Sequence, residues 1–267
     1  MTNKNPMENK ILWIFLHPPR TGGGTLLNTL LKRVPKDEII STSLVRYKLD
    51  SEKFDPKKVR FMIGHATYYG IHKLIPEKTP RYFIFLRDPS ERIVSHYNAK
   101  MIHEKNLIPF GIWYKNQIKN EMVHVLDLKF KGSESTTIHT PRIFIPLIKK
   151  LNYKSFYFIQ SIAFNLFGLT KRNKKTDFKK LENAKKLLDL CWFVSIIENS
   201  DEDIPFLLNK MGIKKAKWEK ETLSKKVLIL NDKLREKIYK ENPLDVQLYK
   251  YALKVREEKL KLIKKSK

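Results

Sequence analysis

The chain has 267 residues, 42% of them hydrophobic and 11% aromatic, which suits one α/β domain with a sizeable core. Lys and Arg number 54 against 28 Asp and Glu, and the formal net charge of +26 favours anionic partners: nucleotides, sulfated or acidic glycans, anionic surfaces or nucleic acid. A single cysteine, Cys191, excludes an internal disulfide framework, and no apolar run reaches the roughly 20 residues that a bilayer span needs. Lysine is spread along the whole chain, so charge alone does not separate a functional surface from compositional bias. The first ten residues are polar and carry no signal-peptide pattern, and a cytoplasmic location is expected.

Residues 11–16 form a short apolar run that predicts a buried strand. His17-Pro18-Pro19 ends it, because proline cannot donate to a sheet ladder. Arg20, Thr21, Gly22, Gly23, Gly24 and Thr25 follow, and then Leu26, Leu27, Leu30 and Leu31 recur at helical spacing. Strand, glycine-rich turn and helix together make a phosphate-binding geometry. Glycines let backbone N–H groups approach an anion, and the helix N-terminus adds its positive dipole end. The pattern is neither GxxxxGK[ST] nor GxGxxG, since the basic residue precedes the glycines. Residues 35–55 are mixed and polar, with no element assigned. A second strand at 59–63 ends in Gly64-His65, and ligands gather outside strand C-termini in parallel sheets. Residues 68–80 suggest a short helix. A third strand at 81–86 ends in Arg87-Asp88-Pro89, where Asp88 and Ser90 are candidate caps for a helix carrying Ser95.

Residues 101–140 are amphipathic, with a loop at 132–137. Residues 143–169 are aromatic and apolar, and 170–180 strongly basic. These predict a helical elaboration over about 101–180, packed on the sheet. A helix at 181–190 feeds a fourth strand at 192–197. Another helix follows at 201–211, closed by Gly212. From residue 231 the pattern is helical with a break at Pro243, and 254–267 reads as a charged, fraying end. The expected architecture is a P-loop-like, doubly wound, mainly parallel sheet flanked by helices, in one domain spanning 1–267. No cluster of His, Cys or acidic residues has metal-ligand spacing, so no metal is expected.

Arg87, at a strand end, offers a bidentate fork for phosphate, with a salt bridge to Asp88 or Glu91 as the alternative. Beside the glycine loop it makes a second anion site. The loop HPPRTGGGTLL resembles the 5′-phosphosulfate loop HxPKTGGTTL, and RYFIFLRDPSERIVSHYN resembles the 3′-phosphate motif FLRDPxERxxSxY. MIGHATYYGIHK resembles a GHFPYGLH segment, and LREKIYKENPLDVQLYKYAL resembles C-terminal helices reading NALDLELYEYA. The chain is thus similar to carbohydrate sulfotransferases of the kind represented by heparan-sulfate 2-O-sulfotransferase and its bacterial relatives. The likeness covers the first hundred residues and about the last seventy.

The resemblance implies transfer of a sulfuryl group from 3′-phosphoadenosine-5′-phosphosulfate (PAPS) to an acceptor hydroxyl, on a glycan by analogy. It places the 5′-phosphosulfate on the amides of Thr21, Gly22, Gly23, Gly24, Thr25 and Leu26, and the 3′-phosphate on Arg87 and Ser95. It makes His65 the general base, with His17 and His72 as rivals, and Arg20 the group that stabilises charge on the bridging oxygen. Arg20 stands where the family has lysine. The leaving phosphate, with a second pKa of about 6, needs charge stabilisation more than a proton, and a guanidinium supplies it. Ile162 after Gln160-Ser161 departs from a Gln-Thr-Arg cluster on the acceptor side. The competing classes are a nucleotide kinase-like phosphotransferase, which wants a lysine after the glycines and a metal-binding carboxylate, and a non-catalytic basic nucleic-acid-binding protein.

Overall fold

The computed structural model describes residues 10–41, 55–105, 107–132, 174–213, 218 and 226–265. Its five strands are β1 (Ile11–Leu16), β2 (Ile39–Ser41), β3 (Phe61–Gly64), β4 (Thr79–Leu86) and β5 (Phe193–Ile196). They lie in the order β2-β3-β1-β4-β5, every neighbouring pair parallel. The described α-helices are α1 (Gly23–Leu31), α2 (Pro89–Glu104), α3 (Phe110–Lys115), α4 (Glu121–Phe130), α5 (Lys174–Leu190), α6 (Ser200–Lys210), α7 (Asp232–Glu241) and α8 (Pro243–Lys265).

The central strands are apolar on both faces, as a sheet covered on both sides requires. Alternation along β1 divides them. Leu12, Ile14 and Leu16 face an aliphatic layer with Val123 and Leu126 of α4, Leu181 and Ala184 of α5, and Leu248, Ala252 and Val255 of α8. Trp13 and Phe15 face an aromatic layer shared with Phe61, Phe83, Phe85 and Phe193, closed by Leu26 and Leu30 of α1 and by Ile204, Leu207 and Leu208 of α6. Helix α8 spans both, since Leu260 and Ile263 near its end join the aromatic layer. A third cluster joins α2, α3 and α7 through Ile93, Tyr97, Trp113 and Ile238.

The doubly wound expectation holds, with local differences. The segment 35–55, left without an element, contributes the edge strand β2. β4 starts at Thr79 and tolerates Pro80 in its second position. Helix α5 begins at Lys174, seven residues before the expected start at 181, so part of the basic run is helical. The end of the chain is helix to Lys265, held by buried Leu260 and Ile263, and does not fray from 254. Most of the 132–137 loop, the apolar stretch 143–169 and Gln160-Ser161-Ile162 lie outside the described residues.

Candidate active site

β3, β1 and β4 are adjacent and parallel, so the turns that follow them meet at one edge of the sheet. These turns carry His65, the glycine loop and Arg87. After β1 the chain turns sharply: Arg20 has φ +65° and Gly22 has φ +82°. The left-handed arginine costs about 1–2 kcal/mol, a strain that the surrounding fold must hold. Thr21 is fully buried and donates its hydroxyl to the Pro18 carbonyl at 2.8 Å, so it braces the turn. Gly22 is the N-cap of α1, and a Cβ there would lie 2.9 Å from Ile197. A Cβ on Gly23 would lie 2.0 Å from His17 Nε2, so glycine there lets the imidazole lie on the helix start. Leu26 donates its amide to the Gly22 carbonyl at 3.1 Å, which leaves the amides before it as the candidates for a ligand. No acidic residue occupies the first turn of α1.

Arg20 leaves this loop and crosses to α2, donating from Nη2 to Ser95 Oγ at 3.2 Å. Burial and the neighbouring Arg87 charge both lower the Arg20 pKa. The Nε atoms of Arg20 and Arg87 are buried and unpaired. Arg87 does meet Glu91, at 3.4 Å, but both side chains are partly exposed and the pair is weak. Asp88, the other acidic neighbour, is otherwise engaged. Asp88 Oδ1 accepts from the Ser90 and Glu91 amides as the N-cap of α2, and its carboxylate also binds Tyr239 and Arg235. The Asp88 amide donates to Glu198 at 3.1 Å, anchoring the Arg87 turn to the end of β5. The arrangement brings two guanidinium groups and a hydroxyl together with donors to spare, which suits an anion.

His65 follows β3 and stacks on His17, with ring centroids 4.0 Å apart and planes 19° from parallel. His17 in turn stacks on Phe15 at 5.0 Å. Burial first, then His65 and Lys129, push His17 down to about 2. His65, more open to solvent, is lowered by desolvation and by Lys129, against a backbone hydrogen bond at His17. Both imidazoles are therefore neutral at pH 7, and a neutral imidazole can accept a proton. The rival His72 is held away from them, its Nδ1 2.7 Å from the Tyr82 hydroxyl. Two further groups escaped the sequence reading. His96, beside Ser95, lies against Trp113 and is pushed down to about 4, chiefly by burial. Lys129 is 1% exposed beneath the histidine turn. The one signal for Lys129 was its spacing, which falls on the buried stripe of Met122, Val125 and Leu126.

A parallel α/β sheet whose three neighbouring turns converge on an anion-suited site defines the class of the molecule. The chain belongs to the Sulfotransferase family, which it matches over residues 71–252. That match includes Arg87 and Ser95, starts after the glycine loop and His65, and makes sulfuryl transfer the reaction class. Among solved structures, a sulfotransferase from Alicyclobacillus acidocaldarius is similar at 11% identity, covering 91% of this chain and 95% of that one, with TM-score 0.40. Mouse sulfotransferase SULT7A1 complexed with PAP is similar at 15% identity, covering 87% of this chain and 63% of that one, with TM-score 0.33. A search of curated proteins finds no match. Among the described residues no helix is long and apolar enough to cross a membrane, and no group of His, Cys, Asp or Glu is arranged to hold a metal ion.

Proposed function

We infer that the chain is a single-domain sulfotransferase that uses PAPS as donor and an acceptor hydroxyl, on a glycan by the motif resemblance. The observation that carries this reading is the convergence of Arg20, Arg87 and Ser95, with two buried unpaired guanidinium nitrogens, beside the glycine turn. The residues fit a nucleotide with anionic groups at both ends of its ribose. Gly22 to Thr25 and the α1 dipole would hold the 5′ end. Arg87 and Ser95 would hold the 3′-phosphate. Arg20 starts in the loop and ends at Ser95, so its guanidinium borders both positions and can stabilise charge on the leaving phosphate. The donor supplies an activated sulfuryl group; the protein supplies position, charge and a proton acceptor. His65, neutral and open to solvent on one side, takes the proton of the acceptor hydroxyl.

Thermal shift with 3′,5′-ADP and 5′-AMP tests the reading. At a concentration of about 100 Kd, 3′,5′-ADP should add roughly 2.7 kcal/mol, and 5′-AMP clearly less. Arg87→Ala should abolish that difference, since a charged hydrogen bond contributes about 1.5–3 kcal/mol. Equal stabilisation by both nucleotides in the native sequence would remove the 3′-phosphate assignment.

A further inference from the structure

Lys129 is a fully buried cation beside the histidine turn that the reading above leaves unused. It sits on α4, and its Nζ donates to the carbonyls of His65 at 2.8 Å and Thr67 at 2.7 Å. Its own carbonyl accepts the Tyr69 amide at 2.9 Å. One residue thus grips the turn after β3 at three points, around the histidine assigned as base. Among the described residues no carboxylate lies within ion-pair distance of it. The nearest acid on its own helix, Asp127, is bound by Lys131 at 2.6 Å and by Asn183 at 2.7 Å. A lysine buried against carbonyls alone is an expensive way to hold a loop, because an asparagine or glutamine could donate the same bonds without desolvating a charge.

We propose that Lys129 is a positioning residue for His65, pinning the 65–69 turn from below and setting an uncompensated positive charge against protonation of the two stacked imidazoles. The charged groups facing His65 are Lys129 on α4 and the His17 ring on the turn after β1. Burial holds Lys129 down to about 7, so it is cationic across the acidic range in which an imidazole would otherwise protonate. The base is in this way kept free for the acceptor's proton below neutral pH. The inference rests on the assignment of His65 for its catalytic meaning only; the electrostatic coupling can be read without turnover.

The test is an NMR pH titration of the His65 imidazole in the native sequence and in Lys129→Met, which removes the charge at similar volume. Lys129→Gln, which keeps amide donors, serves if the first variant does not fold. Each is checked for 3′,5′-ADP binding. The His65 midpoint should rise by about half a pH unit or more in the variant, while affinity for 3′,5′-ADP stays within about threefold. A midpoint that does not move overturns the proposal, whatever 3′,5′-ADP does. Failure of the native protein to bind 3′,5′-ADP would count against the functional reading, and the titration would still decide the role of Lys129.

Discussion

His65 and Arg20 show what single side chains contribute and what they cost. His65 suits the proposed role of base because desolvation and Lys129 lower its pKa while one side is left open. On the proposed reading, His65→Ala should lower kcat by about 10²–10⁴-fold and leave 3′,5′-ADP affinity nearly unchanged, since the base would face the acceptor and not the nucleotide. Turnover against a glycan acceptor and calorimetry on the same preparation check both halves; a parallel loss of binding would make the histidine structural. Its pKa lies below the ordinary 6.5, so the acidic limb of kcat/KM should fall below that pH. The motif placed His65 and Arg87 by position in the chain. It could not reveal that Arg20 reaches Ser95, because that contact spans 75 residues and depends on α2 folding back beside the loop.

Among the elements, α8 does the most to join the molecule. Arg256 meets Asp203 of α6 through two hydrogen bonds, Nε to Oδ2 at 2.8 Å and Nη2 to Oδ1 at 2.6 Å, with the carboxylate fully buried. Ser195 of β5 donates to the same Asp203 at 3.0 Å. Arg256→Ala would leave that carboxylate buried without its cation and should cost about 3–5 kcal/mol, read as a fall in the urea midpoint. The far end of α8 explains the PLDVQLY stretch. Asp245 accepts from the Met122 and Val123 amides at the start of α4, and Asn120 Oδ1 accepts from the Leu244 and Asp245 amides in return. The two helix starts cap each other, so this sequence signature is a packing device. Expecting the charged end to fray overlooked that Leu260 and Ile263 sit among many lysines yet fall on one buried stripe.

For the whole molecule, pH should act mainly through histidines kept neutral by the fold. His17 and His96 are held at about 2 and about 4, yet take up protons near 6.5 once unfolded. Their contribution to stability is complete above 6.5 and is lost as pH falls toward the folded values. Asp245 works in the opposite sense: held up at about 6 against 3.8, it keeps a proton in the fold that the unfolded chain releases, and offsets one histidine in that window. The histidines outweigh the single carboxylate, so the net effect is a loss of stability as pH falls from about 6 toward 4. Lys129 extends the trend upward, since its burial penalty is relieved as pH rises above about 7. Melting curves at about pH 7.5 and about pH 5 should show the lower Tm at the acidic pH. The net charge of +26 adds self-repulsion in the same direction as carboxylates protonate.

Local patterns were enough for the sheet strands at 11–16 and near 61, 81 and 193, for the glycine turn, for the Asp88 cap and for the closing Gly212. Each is encoded over a few residues: an apolar run, a proline stop, a side-chain oxygen two or three positions before an amide. Strand order is of another kind. That β1 lies between β3 and β4, and so brings the glycine loop, His65 and Arg87 to one edge, follows from pairing between segments far apart in the chain. So does the burial of Lys129, an ordinary lysine in sequence, which reaches the His65 and Thr67 carbonyls because α4 packs beneath the turn after β3. Chemistry-bearing residue types are readable one by one, whereas their charges and reach are set by what the fold places beside them.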